Sequence, residues 1–587
     1  MLMTIFNIFT LLGGLAFFLF GMHTMSNGLE KIAGGKLEKI LRKMTDKPLK
    51  ALLLGIAITA TIQSSSAVTV MLVGLVNSGI MQLGQTIGVI MGSNIGTTLT
   101  AWILSLAGIE SDNFFIKLLN PSAFSPLLAL AGILLIMLAK KSRTKDIGSC
   151  LMGFSVLMFG MKLMSDSVSP LAEMEGFGEI MLMFNNPLFG LAVGIVLTGI
   201  VQSSAATVGI LQALSMTGSV TYGMAIPIIM GQNIGTCVTA LISSIGVSKN
   251  AKRVAFIHVS FNVIGTAVFL SLFYGLDAIF KFAFIDTALR PHDIAMIHSI
   301  FNVATSLLLL PFSSLLEKLA IKAVRDKGDK SEKTFIDERL LLTPTLAVSE
   351  CRNHTVEMAR IAREAFTESI KLLGGYDRKA ADRITELEQS LDDYEDKLGT
   401  FLVKISGLEL TDEDANIVST LLHTIGDFER IGDHALNLVK VAQEISDKGI
   451  SFSDEAKNEL MTATKAISEI LDITVTAFCD NNAEAALRVE PLEQVIDKLL
   501  AEIKDRHIAR LTGGSCTIEL GFVLADILTN YERVSDHCSN IAVCIIQIGH
   551  SVFDTHEYLN EYKNAGGKEF TAAYDGFKKK YALPGKA

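Results

Sequence analysis

Apolar residues run almost unbroken through long stretches between 5 and 316, interrupted by short polar islands, whereas beyond 318 they recur only at three-and-four spacing. The first pattern predicts membrane-spanning helices at 5–27, 84–108, 122–139, 148–168, 223–247, 253–275 and 292–316, each near the ~20 apolar residues a bilayer crossing needs. The second, seen in Met358, Ile361, Ala365 and Phe366, predicts amphipathic helices of a bundle. Two apolar segments fit neither pattern. Residues 49–79 and 188–218 are too long for one crossing and too short for two, and each carries Gln and Ser at its centre. Such a segment is expected to form a re-entrant hairpin, two half-helices that enter and leave on one side with the polar tip buried against protein.

These odd segments belong to a duplication. QSSSA at 63–67 recurs as QSSAA at 202–206, and GSNIGTTLT at 92–100 recurs as GQNIGTCVT at 231–239. Gln63 corresponds to Gln202, Ser64 to Ser203, Ser65 to Ser204, Asn94 to Asn233 and Thr97 to Thr236, and Phe20-Gly21-Met22 to Phe159-Gly160-Met161, always 139 positions apart. The repeats are placed at about 5–139 and 148–275, with 292–316 as an extra span. Because each copy crosses three times, the second is expected to be inverted relative to the first. Gly92, Gly96, Gly231 and Gly235 are expected to break their helices beside the site.

Charge sharpens the division. Residues 1–316 hold 18 Lys+Arg against 13 Asp+Glu, and the remainder holds 33 against 48. This predicts a membrane domain (1–316), a polar linker (317–349), a soluble acidic helical domain (350–550) and a tail (551–587), an all-α protein throughout. Basic clusters follow the first, third, fifth and seventh spans, at 31–50, 140–145, 249–253 and 318–325. By the positive-inside rule all four lie in the cytoplasm, an arrangement that holds only if each hairpin returns to its own side. The C-terminal domain is then cytoplasmic. Seven scattered cysteines without a CxxC pair suit reduced thiols on that side. The first apolar run lacks a preceding basic region and is read as a retained helix.

Two half-helix starts at one central place offer N–H groups and positive dipole ends to an anion, while amide oxygens and hydroxyls suit Na⁺. No Asp, Glu, Lys, Arg or His occurs at 51–109 or 187–248. A proton-coupled carrier would be expected to hold such a group there, so sodium coupling is the better reading. Substrate and ion are assigned to Gln63, Ser64, Ser65, Ser66, Asn94, Thr97, Gln202, Ser203, Ser204, Asn233 and Thr236. No Walker loop, nucleophile elbow or metal-hydrolase motif appears, so an enzyme is not expected, nor is a nucleic-acid partner.

The soluble part repeats too. FERIGDHALNL at 428–438 recurs as YERVSDHCSNI at 531–541, and LEQSLDDYEDKL at 387–398 recurs loosely as LEQVIDKLLAEI at 492–503, as two three-helix units would. Glu429 with Asp433, Glu532 with Asp536, Glu388 with Asp392 and Glu493 with Asp497 are each four apart, on one helix face. Like charges at that spacing cost a few tenths of a kcal/mol, so the repeated stripe calls for metal ions of unspecified identity, a basic partner, or solvation with Arg430 and Arg533 as neighbours.

QSSSA and QSSAA, each followed by G-S/Q-N-I-G-T, resemble the type II sodium–phosphate cotransporter family, whose repeats carry QSS hairpins at the substrate site. IHVSFNV at 257–263 and IHSIFNV at 297–303 resemble its His-x-x-Phe-Asn segments, although His258 and His298 are 40 apart and equally suit helix packing. The E-R-[IV]-x-D-H motifs resemble the PhoU family, which regulates bacterial phosphate uptake and whose E-x-x-x-D pairs bind metal clusters. Together the resemblances imply a sodium-coupled phosphate transporter of a bacterial inner membrane with a cytoplasmic regulatory domain and a phosphate-signalling partner protein. The rivals are an exporter, a carrier of another small anion, and a membrane-tethered sensor that moves nothing.

Overall fold

The computed structural model describes residues 5–33, 47–79, 81–108, 120–170, 183–325, 336–550 and 568–584. Lys36, Lys39, Arg42 and Lys43, the loops around Glu110 and at 173–179, and 551–567 of the expected tail lie outside the described residues. The chain forms two compact units, Met1–Leu346 and Ala347–Ala587.

In the first unit α1 (Ile5–Ala33) is followed by α2 (Pro48–Ile62), α3 (Ser65–Asn77), α4 (Leu83–Ser105) and α5 (Pro121–Leu138). The second repeat supplies α6 (Ser142–Val168), α7 (Pro187–Val201), α8 (Ser204–Ser215), α9 (Tyr222–Ser243) and α10 (Lys249–Phe280), and α11 (Pro291–Leu309) and α12 (Ser313–Ala323) follow. Both odd segments are therefore a helix, a short break and a second helix. The last expected span is likewise divided at a tight turn over Leu310–Phe312, where Pro311 cannot supply the N–H that a continuous helix needs. Among the described residues, six helical stretches are long and apolar enough to cross a bilayer, α11 and α12 together forming one of them.

The two repeats meet through equivalent residues. A Cβ added to Gly21 would lie 2.2 Å from the Leu157 nitrogen and 2.6 Å from the Gly153 oxygen; one added to Gly160 would lie 2.4 Å from the Phe18 nitrogen and 2.6 Å from the Gly14 oxygen. Leu157 is the repeat equivalent of Phe18 and Gly153 of Gly14, so α1 and α6 make one self-complementary contact with its two halves exchanged. Small residues there let the backbones touch, the usual device where lipid removes any hydrophobic drive for helix association.

Much of the expected linker is structured. Residues 326–335 lie outside the described residues, but α12 occupies its start and a tight helical turn (Glu338–Leu342) packs on α3, with Leu340 fully buried against Gly74. Asn77, at the end of α3, donates to Asp337 (2.6 Å) and accepts from the Ser248 N–H (2.8 Å), while Arg339 donates to the Ile245 carbonyl (2.8 Å). A polar composition read as a linker thus conceals a buried aspartate held by an amide and a guanidinium.

The second unit holds α13 (Pro344–Leu372), α14 (Arg378–Ser406), α15 (Asp412–Lys448), α16 (Asp454–Asp480), α17 (Val489–Thr512), α18 (Ile518–His550) and α19 (Lys568–Lys580). The apolar stripes converge on buried Phe366, Phe428, Phe478 and Tyr531, with Phe366 edge-on to Tyr531 and Phe428 to Phe478. The duplicated motifs sit on α15 and α18, which pack against each other.

Candidate functional site

Each loop tip is built by the same two backbone devices. Gln63 (φ 58°, ψ 20°) and Gln202 (φ 56°, ψ 22°) end their first half-helices in the left-handed region, which is costly for a side chain with a Cβ. The next residue caps the second half-helix: Ser64 Oγ accepts from the Ala67 N–H and Ser203 Oγ from the Ala206 N–H, both at 3.2 Å. Ser65 and Ser204 are the first residues of α3 and α8 and are buried, whereas Ser66 is partly exposed. Their N–H groups belong to the set that a helix start leaves without an intrahelical acceptor. A polar, positively biased spot in an apolar segment is thereby made twice, without a charged side chain.

The copies are not identical. Gln63 is buried and accepts from Thr100 Oγ1 (2.7 Å), whereas Gln202 is exposed. Thr59 donates to Ser93 (2.8 Å), linking α2 to α4. Its counterpart Thr198 instead bonds Thr207 (2.9 Å), linking α7 to α8, because Gln232 stands where the first copy has Ser93.

The expectation that glycines break the second motif is overturned. Both α4 and α9 run unbroken through GSNIGT and GQNIGT. A Cβ on Gly92 would lie 2.0 Å from the Leu52 oxygen, and one on Gly231 would lie 2.2 Å from the Leu191 oxygen. Gly96 and Gly235 face Ile56 and Ile195 of the same half-helices in the same way. These glycines bring the half-helices into backbone contact with α4 and α9; their conformational freedom is not used.

Asn94, Asn233, Thr97 and Thr236 are buried on those continuous helices. Thr97 and Thr236 donate to the carbonyls one turn back, at 3.0 and 2.9 Å. Asn94 Nδ2 has no hydrogen-bond partner among the described residues. Asn233 donates to Ile229 and bonds His298 Nε2 (3.3 Å), so His298 touches an assigned residue. The half-helices are also exchanged between repeats: α3 packs on α9, and α8 on α4. Sequence reasoning missed Gln212, whose Nε2 donates to the carbonyls of Ala101 and Pro291, both at 3.0 Å, tying α8 to α4 and α11. A glutamine six residues beyond QSSAA within an uncharged run was the signal available.

In the second unit the acidic stripes come together in two groups. Ligand oxygens of Glu493, Asp497 and Asp536 lie within 4.8 Å of one another, with Asp497 exposed. Partial desolvation between the packed helices raises the Asp497 carboxyl above its ordinary value, and the charges of Asp536, Glu532 and Glu490 raise it further. The other group couples Glu388, Asp392, Glu429 and Asp433. Glu388 and Asp392 are raised first by burial and then by the neighbouring carboxylates, and Glu429 is pushed up to about 7 by burial, Asp433 and Asp392. Carboxylate oxygens alone fit a hard cation. The histidines of the motifs are engaged elsewhere, His434 with Asn530 and His537 with Asp427, both at 2.8 Å.

Crowded carboxylates make a direct prediction. A carboxyl raised in the fold binds its proton more tightly there than in the unfolded chain, so the metal-free protein should lose stability as pH rises from about 4.5 through about 7. A divalent cation added at pH 7.5 should raise the melting temperature of this unit, and Asp433→Asn with Asp536→Asn should erase both the shift and the bound metal. Differential scanning calorimetry with metal analysis reads both; an unchanged shift in the double variant would assign the stripes to solvation.

Comparison with known proteins follows the same duplications. The family model described as Na+/Pi-cotransporter matches twice, over residues 17–166 and 156–291, and the PhoU domain model matches twice, over 355–442 and 460–545. The "Uncharacterized protein YqeW" of Bacillus subtilis is 33% identical over 304 residues, 52% of this chain and 94% of its own. The "Putative inorganic phosphate export protein YjbB" of Salmonella typhimurium is 22% identical over 549 residues, covering 92% of this chain and 97% of its own. The "Sodium-dependent phosphate transport protein 2A" of Rattus norvegicus is 36% identical over 107 residues, 17% of each.

Proposed function

Since the chain belongs to the Na+/Pi-cotransporter family and carries a PhoU-type helical domain behind it, we propose that it moves inorganic phosphate across a bacterial inner membrane, driven by the free energy of a sodium gradient. The observation that carries this reading is the pair of tips, each a left-handed Gln followed by a Ser cap and a buried Ser at a helix start. Phosphate is met by N–H groups and hydroxyls at the starts of α3 and α8, and Na⁺ by neutral oxygens beside them. Uncharged ligands let the anion and its cation neutralise each other within a low-dielectric interior, a balance a fixed Lys or Asp would upset.

The two helix–break–helix segments act as re-entrant hairpins, with Lys140, Lys141, Arg143 and Lys145 on the cytoplasmic side together with the acidic domain. The carboxylate groups of that domain hold metal ions and tune transport to cellular phosphate through a signalling partner. Direction follows the gradients, and the similarity to the "Putative inorganic phosphate export protein YjbB" favours asking about export as well as uptake.

Flux of ³²P-phosphate in proteoliposomes tests the reading. A sodium gradient should drive accumulation while K⁺ or a pH gradient alone should not. Absence of flux under all three would favour a sensor, and equal flux with the pH gradient alone would remove sodium from the mechanism.

A further inference from the structure

The two hairpins carry matching tips, but their second half-helices end differently. Gly74 and Asn77 at the end of α3 stand where the second repeat has Ala213 and Met216. Met216 is 37% exposed, whereas Asn77 is 6% exposed. Both departures suit the segment at 336–343. A Cβ at position 74 would lie 3.2 Å from Leu340 Cδ2, so the glycine leaves Leu340 its seat. The Asn77 amide donates to Asp337 Oδ2 (2.6 Å). The equivalent end of α8 has neither the amide nor the missing Cβ.

The path of the bonds gives this strap a role beyond packing. Asn77 belongs to the first repeat, whereas Ile245 and Ser248 lie in the connection between α9 and α10 of the second. Asn77 Oδ1 accepts from the Ser248 N–H (2.8 Å). Asp337 accepts from Asn77 on one side and from Arg339 Nη1 (3.0 Å) on the other, and Arg339 Nη2 donates to the Ile245 carbonyl (2.8 Å). Asp337 is 2% exposed and Leu340 is inaccessible. The strap therefore closes a hydrogen-bonded ring across the boundary between the repeats, with a buried carboxylate at its centre. Bonds to a buried charge are among the stronger ones, because breaking them leaves that charge unpaired. Carriers built from inverted repeats work by moving one repeat, or part of it, against the other. A tie across that boundary holds in one arrangement and must be broken to reach the next.

We infer that residues 336–343 form an autoinhibitory clamp, which pins α3 and the tip it carries to the second repeat and has to release before that tip moves. Its effect on flux rests on the transport reading of this chain; its hold on α3 does not. Thr343 is followed by Pro344, the first residue of α13. A displacement of that helix thus reaches the clamp through the chain itself.

Asp337→Ala with Leu340→Ser removes the buried carboxylate and the side chain seated at Gly74, and leaves both tips untouched. Hydrogen–deuterium exchange of the purified full-length protein should then rise roughly tenfold or more in the last two turns of α3, and stay at the parental rate in α8. In proteoliposomes under a sodium gradient, maximal ³²P-phosphate flux should rise about threefold or more with KM for phosphate nearly unchanged, because contacts made in only one state slow departure from it. A strap that serves structure alone would give lower flux from a less stable protein.

Should that variant fail to fold, Gly74→Ala with Asn77→Met gives α3 the ending that the second repeat already carries, and the same two results are expected. Folded variants whose α3 exchanges at the parental rate would overturn the inference, as would a loosened α3 with unchanged or reduced maximal flux. Absence of flux from parent and variants alike would sink the transport reading instead, and exchange in α3 would still decide whether the clamp holds that helix.

Discussion

Replacing Ser65 or Ser204 by alanine is expected to remove most phosphate transport while the protein still reaches the membrane. Each is the first residue of its half-helix, buried, and directly behind a capping serine whose own hydroxyl is already committed to the backbone. The capping bonds of Ser64 and Ser203 hold the helix starts in shape, so alanine at 65 or 204 takes away a hydroxyl without taking away the cap. A hydroxyl that partners a charged ligand is worth roughly 1 to 3 kcal/mol, which is about fivefold to over a hundredfold in affinity. Transport assayed against phosphate concentration should show a raised KM in either variant. Removing both should exceed the larger single effect if, as proposed, the two groups serve one ligand from two helices. Wild-type uptake in both single variants, at normal membrane levels, would return these hydroxyls to packing.

Adding a single methyl group at Gly92 or Gly231 should do more damage to the fold than any change at the tips. The new Cβ would stand 2.0 Å from the Leu52 oxygen or 2.2 Å from the Leu191 oxygen, and both obstacles are backbone, which cannot swing aside as a side chain can. Overpacking typically costs about 1 to 3 kcal/mol where side chains can adjust, and more where they cannot. Gly92→Ala and Gly231→Ala are therefore each expected to lower the detergent melting temperature sharply, and together to empty the membrane fraction of folded protein. Gly13→Ala is the control, since nothing lies within 4 Å of its added Cβ and alanine favours the helix. Fluorescence-detected size exclusion after heating reads all four proteins. Equal stability of Gly92→Ala and Gly13→Ala would mean that α2 and α4 do not meet as closely as described.

The duplication at 139 residues is legible because it is a property of the order of residues alone, and it carries the positions of both tips with it. Hydrophobic run length places the spans, and the excess length of 49–79 and 188–218 announces a break within each. Three-and-four spacing announces the helices of the acidic part and sets Glu493 with Asp497 on one face. All of these are local readings, in which a residue's meaning is settled by neighbours within a few turns.

Whatever depends on a partner far along the chain is decided only by the tertiary structure. Gly92 and Gly231 read as breaks because glycine's freedom is visible in sequence, whereas the carbonyls of Leu52 and Leu191 pressing against them are not. Asp337 reads as part of a polar linker because composition is all the local sequence offers there; the Asn77 amide that buries it is 260 positions away. His298 is ambiguous between packing and function until the fold sets it against Asn233. Asp536 joins Glu493 and Asp497 through the packing of α18 on α17. Periodicity fixes which face a side chain takes, but what that face meets, and so whether a small or polar residue packs, ligates or turns, is set by the atoms that folding brings from elsewhere.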